Sequence, residues 1–171
     1  MSHAKSLRVI GQVLEAAKVE TFELEKHGQR YLVWSASLTK EGELILRNAL
    51  QDNNCASQNT RQAIPNVFCF NPADISRLDA RAQKRRRNQS SSATLPSTML
   101  SHQLRSLGDH LDRLELSAFH IMWTAGSVIL GYQPVDGDWN YRSFTADELR
   151  QRGLHRKLLR SSHYVFPRLD T

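Results

Sequence analysis

Apolar and polar residues alternate with two different periods along this chain, and together they predict an α+β protein. Apolar residues spaced three or four positions apart predict amphipathic helices at 4–18, from Pro72 to Arg87, from Thr98 or Ser101 through Leu114, and at 146–160. Period-two alternation and short apolar runs predict strands at 21–25, 30–35, 43–46, 67–70, 118–123, 127–132 and 139–144. Turn residues such as Gly28 and the Asp136-Gly137 pair separate neighbouring strands, which indicates antiparallel sheets.

One stretch of this pattern occurs twice. Residues 7–24 match residues 104–121 without a gap, with five identities in 18 columns and four close substitutions. A glycine lies at the same place in both predicted helices, Gly11 and Gly108, although glycine in a helix costs about 1 kcal/mol relative to alanine. We therefore expect both glycines to allow a close backbone approach to another element.

The second basic helix also has a counterpart in the first half. Residues 73–87 share the pattern Ala-Asp-x-x-Arg, then Lys-x-x-Arg, with residues 146–160. The chain is thus predicted to be an internal duplication of a helix, an antiparallel sheet of two to three strands and a second helix, in a pseudo-two-fold arrangement. The predicted modules are 1–88, with a long polar loop at 51–66, and 98–171, joined by a polar linker at 89–97.

The order helix, three strands, helix is similar to that of double-stranded-RNA-binding domains. Both second helices of this chain, however, open with Ala-Asp, at 73–74 and 146–147, and lack the Lys-Lys-x-Ala-Lys signature of those domains. The similarity is therefore one of topology alone.

Charge is distributed unevenly along the chain, whose formal net charge is +6. The segments 70–90 and 139–171 each carry a net charge of +4, so the rest of the chain is slightly acidic. Clustered guanidinium groups suit bidentate contacts with phosphate oxygens. The candidate nucleic-acid-binding residues are the cations of the two second helices: Arg77, Arg81, Lys84, Arg85, Arg86, Arg87, Arg150, Arg156, Lys157 and Arg160.

Two aromatic residues of the last predicted strand accompany this basicity. Trp139 and Tyr141 alternate onto one strand face, where they are candidates for stacking on bases, although core packing is the commoner fate of such residues. On the strand at 21–25, Glu23 and Glu25 also share a face, and we interpret them as exposed acidic residues of an edge strand.

The sequence offers no catalytic motif. It has no GxSxG, phosphate-binding loop, GxGxxG or HExxH pattern, so we expect neither enzymatic activity, nor a cofactor, nor a metal site. No apolar run approaches the roughly 18 residues that span a bilayer, and the two cysteines lack CxxC spacing, so we expect a cytoplasmic protein without a membrane partner.

Two hypotheses follow from these observations. The first is a non-enzymatic protein that binds DNA or RNA through the basic second helix of each repeat. The alternative is a protein-interaction or assembly module, which forms a homo-oligomer or binds a partner through the repeated apolar helices and the strand edges. An acidic protein partner would satisfy the clustered cations as well as nucleic acid does.

Overall fold

A computed structural model of the protein describes residues 2–35, 37–50, 67–88, 99–124, 127–145 and 148–149. The helices are α1 His3–Ala16, α2 Lys40–Ala49, α3 Pro72–Asn88 and α4 Met99–Leu111, and the strands are β1 Phe22–His27, β2 Arg30–Trp34, β3 Val67–Phe70, β4 Leu116–Trp123, β5 Ser127–Pro134 and β6 Asn140–Thr145. The predicted α+β class is confirmed. None of the helices in these ranges is both long and apolar enough to cross a membrane.

The six strands form one antiparallel sheet in the order β3-β2-β1-β4-β5-β6. Its central pair, β1 and β4, joins the two halves of the chain, with Leu24 directly opposite Ile121. Each half therefore contributes three neighbouring strands to a shared sheet. The module boundaries at 88 and 98 stay a prediction, and the linker 89–97 lies outside the described residues.

The two faces of the sheet differ in burial, as the period-two patterns require. The inner face is buried under the helices, and its central strands contribute Phe22, Leu24, Phe119 and Ile121 to the hydrophobic core. Helix α1 contacts α2, α3 and α4, so it is the hub of the helical layer. The opposite face, which we call the outer face, carries the alternate residues of every strand.

Helices α1 and α4 pack antiparallel against each other, and the two repeated glycines lie at the contact. A Cβ atom on Gly11 would lie 2.7 Å from Cα of Ser101, and one on Gly108 would lie 2.5 Å from the backbone nitrogen of Ala4. Real Cβ atoms do not approach backbone atoms this closely. The expectation that both glycines allow a close backbone approach is therefore confirmed.

Side-chain caps fix several of the helix starts. The carboxylate of Asp112, just after α4, accepts hydrogen bonds from the backbone nitrogens of His3 and Ala4 at 2.6 and 3.0 Å. This places a negative charge at the N-terminus of α1, where the helix dipole favours it. After β6, Thr145 and Glu148 form the predicted capping box, with the Thr145 nitrogen donating to Glu148 Oε2 at 2.8 Å.

The strand predicted at 43–46 is wrong, because this segment belongs to α2. Thr39 caps the helix through a 3.1 Å hydrogen bond from the Gly42 nitrogen to its hydroxyl, and Leu46 and Leu50 are buried four residues apart. A four-residue apolar run does not by itself distinguish a strand from a helical turn. Because α2 lies between β2 and β3, the topological similarity to double-stranded-RNA-binding domains does not extend to the first half.

Candidate nucleic-acid interface and the outer sheet face

Helix α3 begins where the sequence predicts and presents its cations in two different ways. Asn71 accepts a 2.8 Å hydrogen bond from the Asp74 nitrogen, which caps the helix before Pro72 at its first position. Arg77, one turn later, has only 19% of its side chain exposed. It donates to the Asp74 carboxylate at 2.8 Å and to the carbonyl of Ala49 at 2.6 Å, so its guanidinium links α3 to the end of α2.

The next two cations of α3 lie open to solvent. Arg81 and Lys84 are exposed and stand three residues apart, which places them on neighbouring turns of one helix face. Within the described residues, neither side chain has a carboxylate within ion-pair distance.

The opposite side of α3 holds a buried carboxylate between two cations of α1. Asp79 is 2% exposed and binds Lys5 at 3.0 Å and Arg8 at 2.5 Å, with Gln83 donating a further hydrogen bond at 2.8 Å. Burial alone would raise the pKa of Asp79, but the hydrogen bonds and positive charges of Lys5 and Arg8 outweigh it and lower that pKa. Asp79 therefore stays ionised and joins α3 to α1.

The remaining predicted phosphate contacts cannot be placed from the described structure. Arg85, Arg86 and Arg87 belong to α3, but their side chains lie outside the described residues, as do Arg150, Arg156, Lys157 and Arg160 in full. Of the predicted second helix at 146–160, the residues Glu148 and Leu149 are described, and both are helical.

Trp139 and Tyr141, the predicted stacking residues, lie beside each other on the outer face. They are 42% and 39% exposed, and their rings stack on one another with centroids 6.1 Å apart. The Tyr141 ring lies across Gly131 of the neighbouring strand, since a Cβ there would be 2.8 Å from the ring. The glycine makes room for both rings, which are partly exposed.

The outer face brings together residues that the sequence analysis did not combine. Glu23 and Glu25 lie on β1 in the middle of the sheet, so their assignment to an edge strand is wrong. Partly exposed apolar side chains flank them on both sides: Leu32, Trp34 and Val67 toward one edge, and Met122 and Ile129 toward the other. Alternation predicts each strand's outward residues, but strand order, which sequence pattern does not give, decides that they are neighbours.

A polar group between α1 and the sheet is a further feature that the sequence did not indicate. His3 Nδ1 lies 3.0 Å from the Tyr31 hydroxyl, and its ring packs edge-on against Phe119 at a centroid distance of 5.2 Å. Burial, with a contribution from the nearby charge of Lys26, lowers the pKa of His3. Its contacts with core residues make this group part of the helix–sheet packing.

No group of three or more His, Cys, Asp or Glu side chains within the described ranges is arranged to hold a metal ion. No protein-family model, curated protein or solved structure significantly matches this chain.

Proposed function

We propose that this protein binds nucleic acid, with the exposed face of α3 contacting phosphate groups. The observation that carries the proposal is the exposure of Arg81 and Lys84, one helical turn apart and without a carboxylate partner in the described part of the chain. When such cations bind phosphates, they release counterions that are condensed on DNA or RNA, and this release favours binding. Three further arginines, at 85–87, continue the same helix and enlarge its positive charge.

The two acidic residues of α3 are buried, whereas the cations of this face are exposed. Asp74 and Asp79 are 2% exposed and are bonded to Arg77 and to the cations of α1, so they present little surface to a ligand. Glu23 and Glu25 lie on the outer face of the sheet, which is the face that the helices do not cover. A phosphate backbone would therefore meet the exposed cations of α3 without an exposed carboxylate in the described part of that helix, and it would be repelled from the centre of the outer face.

The same proposal includes an internal duplication of the chain. Under the offset of 97 residues, Gly11 matches Gly108 and Ala4 matches Ser101. The contacts of Gly11 with Ser101 and of Gly108 with Ala4 are thus the same contact made twice, as a two-fold axis between the helices requires. Leu24 and Ile121, which match each other, also lie directly opposite in the central strand pair.

The strand order supports the duplication independently of those contacts. An axis between β1 and β4 exchanges β2 with β5 and β3 with β6, so that each half has its third strand at an edge. In each half a capped helix start follows that edge strand, at Asn71 and at Thr145. Two basic helices at equivalent places would then meet successive parts of one extended anionic ligand.

The helix packing limits the surfaces through which a partner could bind under the alternative hypothesis, a protein-interaction module. The apolar stripes of α1 and α4 are buried in the core, where Leu7, Leu14, Leu104 and Leu111 are fully covered. Partner binding through those stripes would require the fold to open. The outer face and the sheet edges are the surfaces left to this hypothesis.

Titration with labelled DNA and RNA duplexes across a salt series tests the proposed function. A protein that neutralises about five phosphates should lose affinity with a log–log slope of about −4 to −5. Absence of binding at low salt, or affinity that does not change with salt, would refute the proposal.

A further inference from the structure

The outer face of the sheet combines an apolar surface with negative charge at its centre. One row of outer-face residues crosses the strands with Glu23 at its centre. Trp34 and then Val67 lie on one side of Glu23, and Met122 and then Ile129 lie on the other side. In the next row, Leu32 and His120 lie on either side of Glu25. The carboxylate side chains are 52% and 39% exposed, so they project from the apolar surroundings toward solvent.

We propose that this outer face binds an amphipathic helix of a partner protein whose face carries both apolar and basic residues. The inference is independent of the proposed nucleic-acid binding, which uses the helical side of the molecule. A sheet face that presents apolar residues is most effectively buried by a helix or a second sheet. Lysine or arginine residues of the partner helix would pair with Glu23 and Glu25, while its apolar residues cover Trp34, Met122 and Ile129.

Charge complementarity decides the chemistry of the occupant. The chain as a whole carries a net charge of +6, so a cationic ligand is repelled at long range and binds only where carboxylates are concentrated. An acidic or purely apolar helix would leave Glu23 and Glu25 unpaired within the contact, which is costly for charged groups. A nucleic acid would place its phosphates against the same two carboxylates.

Two histidines lie beside these carboxylates. His27 Nε2 lies 3.2 Å from Glu25 and His120 Nε2 lies 3.6 Å from Glu23, on the same face. Pairing with a permanently charged lysine or arginine remains available to both carboxylates.

The probe is a synthetic helical peptide of about 18 residues, built from leucine and lysine at helical spacing. Such a helix is about 27 Å long and crosses the six strands, which span about 24 Å. A matched peptide has glutamate in place of every lysine. Binding of each fluorescently labelled peptide to the full-length chain is measured by anisotropy, and hydrogen exchange maps the protected amides.

We expect the lysine peptide to bind and to protect β1, β2 and β4, and the glutamate peptide not to bind. The double variant Glu23→Gln with Glu25→Gln should weaken binding at least about tenfold, and Ile129→Thr should weaken it as well. The matched control, Glu41→Gln with Glu43→Gln on α2, removes the same charge from a different surface and should change the affinity less than about twofold. Urea unfolding of each variant confirms that the fold is intact.

Several results would overturn the inference. These are equal binding of both peptides, equal weakening by the control variant, or protection confined to the helices. Sedimentation of the free protein as a dimer that Ile129→Thr dissociates would assign the face to a second copy of the chain. Loss of duplex binding in Ile129→Thr would assign it to nucleic acid instead.

Discussion

Replacement of Gly11 and Gly108 by alanine tests the close contact between α1 and α4. Alanine is the better helix former, by about 1 kcal/mol at an exposed interior position, so helix propensity alone predicts that each substitution stabilises the protein. The packing predicts the opposite result. Each new Cβ would meet backbone atoms of the facing helix, which no change of side-chain rotamer can relieve.

The size of the effect follows from the separation that the helices must undergo. A Cβ at 2.7 Å from the Cα of Ser101 must move about 1 Å to reach an ordinary contact of 3.5–4.0 Å. Overpacking typically costs about 1–3 kcal/mol, and a clash with backbone atoms belongs to the upper part of that range, about 2–3 kcal/mol. After subtraction of the gain in propensity of about 1 kcal/mol, we expect each variant to lose about 1–2 kcal/mol. Because one outward movement relieves both clashes, the double variant should lose about 1 kcal/mol less than the sum of the single losses.

Urea denaturation followed by circular dichroism measures these changes. Ala80→Gly, at an exposed position of α3, calibrates the propensity effect in the same protein and should cost about 1 kcal/mol. Stabilisation by both glycine substitutions, or fully additive losses, would contradict the paired contact on which the proposed two-fold axis depends.

Three further predictions concern polar groups of the helical layer. Asp112→Ala removes the carboxylate that accepts hydrogen bonds from the first two backbone nitrogens of α1 and should destabilise the fold by about 1 kcal/mol in urea, whereas Asp109→Ala should have a smaller effect. The pKa of His3 is lowered in the fold, so the contribution of His3 to stability is complete above pH 6.5 and declines as the pH falls below that value. Thermal melts from pH 7 to 5 should therefore show a weaker pH dependence for His3→Gln than for the wild type. The pKa of Asp79 is also lowered, so the contribution of Asp79 to stability is present above pH 3.8 and lost as the pH falls. Asp79→Asn should cost about 2 kcal/mol of unfolding free energy at pH 7, with a smaller difference from the wild type in acid. An unchanged urea midpoint at pH 7 would contradict the role of Asp79 in joining α3 to α1.

Local patterns predict most of the secondary structure of this protein. The stripe of Leu7, Ile10 and Leu14 predicts α1, and the cap at Asn71 with Pro72 predicts the start of α3. Each of these signals lies within one or two helical turns, so the sequence carries it without knowledge of the fold. The wrong strand prediction at 43–46 also comes from a local pattern, because a short apolar run fits both the strand period and the helix period. The cap at Thr39 is the local feature that favours the helix.

Those local patterns do not predict which distant segments of the chain become neighbours in the fold. The pairing of β1 with β4 moves Glu23 and Glu25 from a supposed edge to the centre of the sheet. In the same way, the Arg77 guanidinium is engaged by Asp74 and by a carbonyl 28 residues away in sequence, whereas Arg81, with the same helical spacing, is exposed. Charge spacing therefore identified the basic helix but did not distinguish its packing cations from its accessible ones.

The salt dependence of duplex binding by a variant that lacks the exposed cations Arg81 and Lys84 of α3 tests the central claim most directly. Arg81→Gln with Lys84→Gln should lower the magnitude of the log–log slope by about 1.8, because two phosphate contacts are lost. The control, Arg30→Gln with Lys40→Gln, removes two exposed cations of the same types from β2 and α2 and should leave the slope unchanged. Equal slopes for the wild type and the α3 variant would show that Arg81 and Lys84 do not contact phosphates and would contradict the observation on which the proposed function rests.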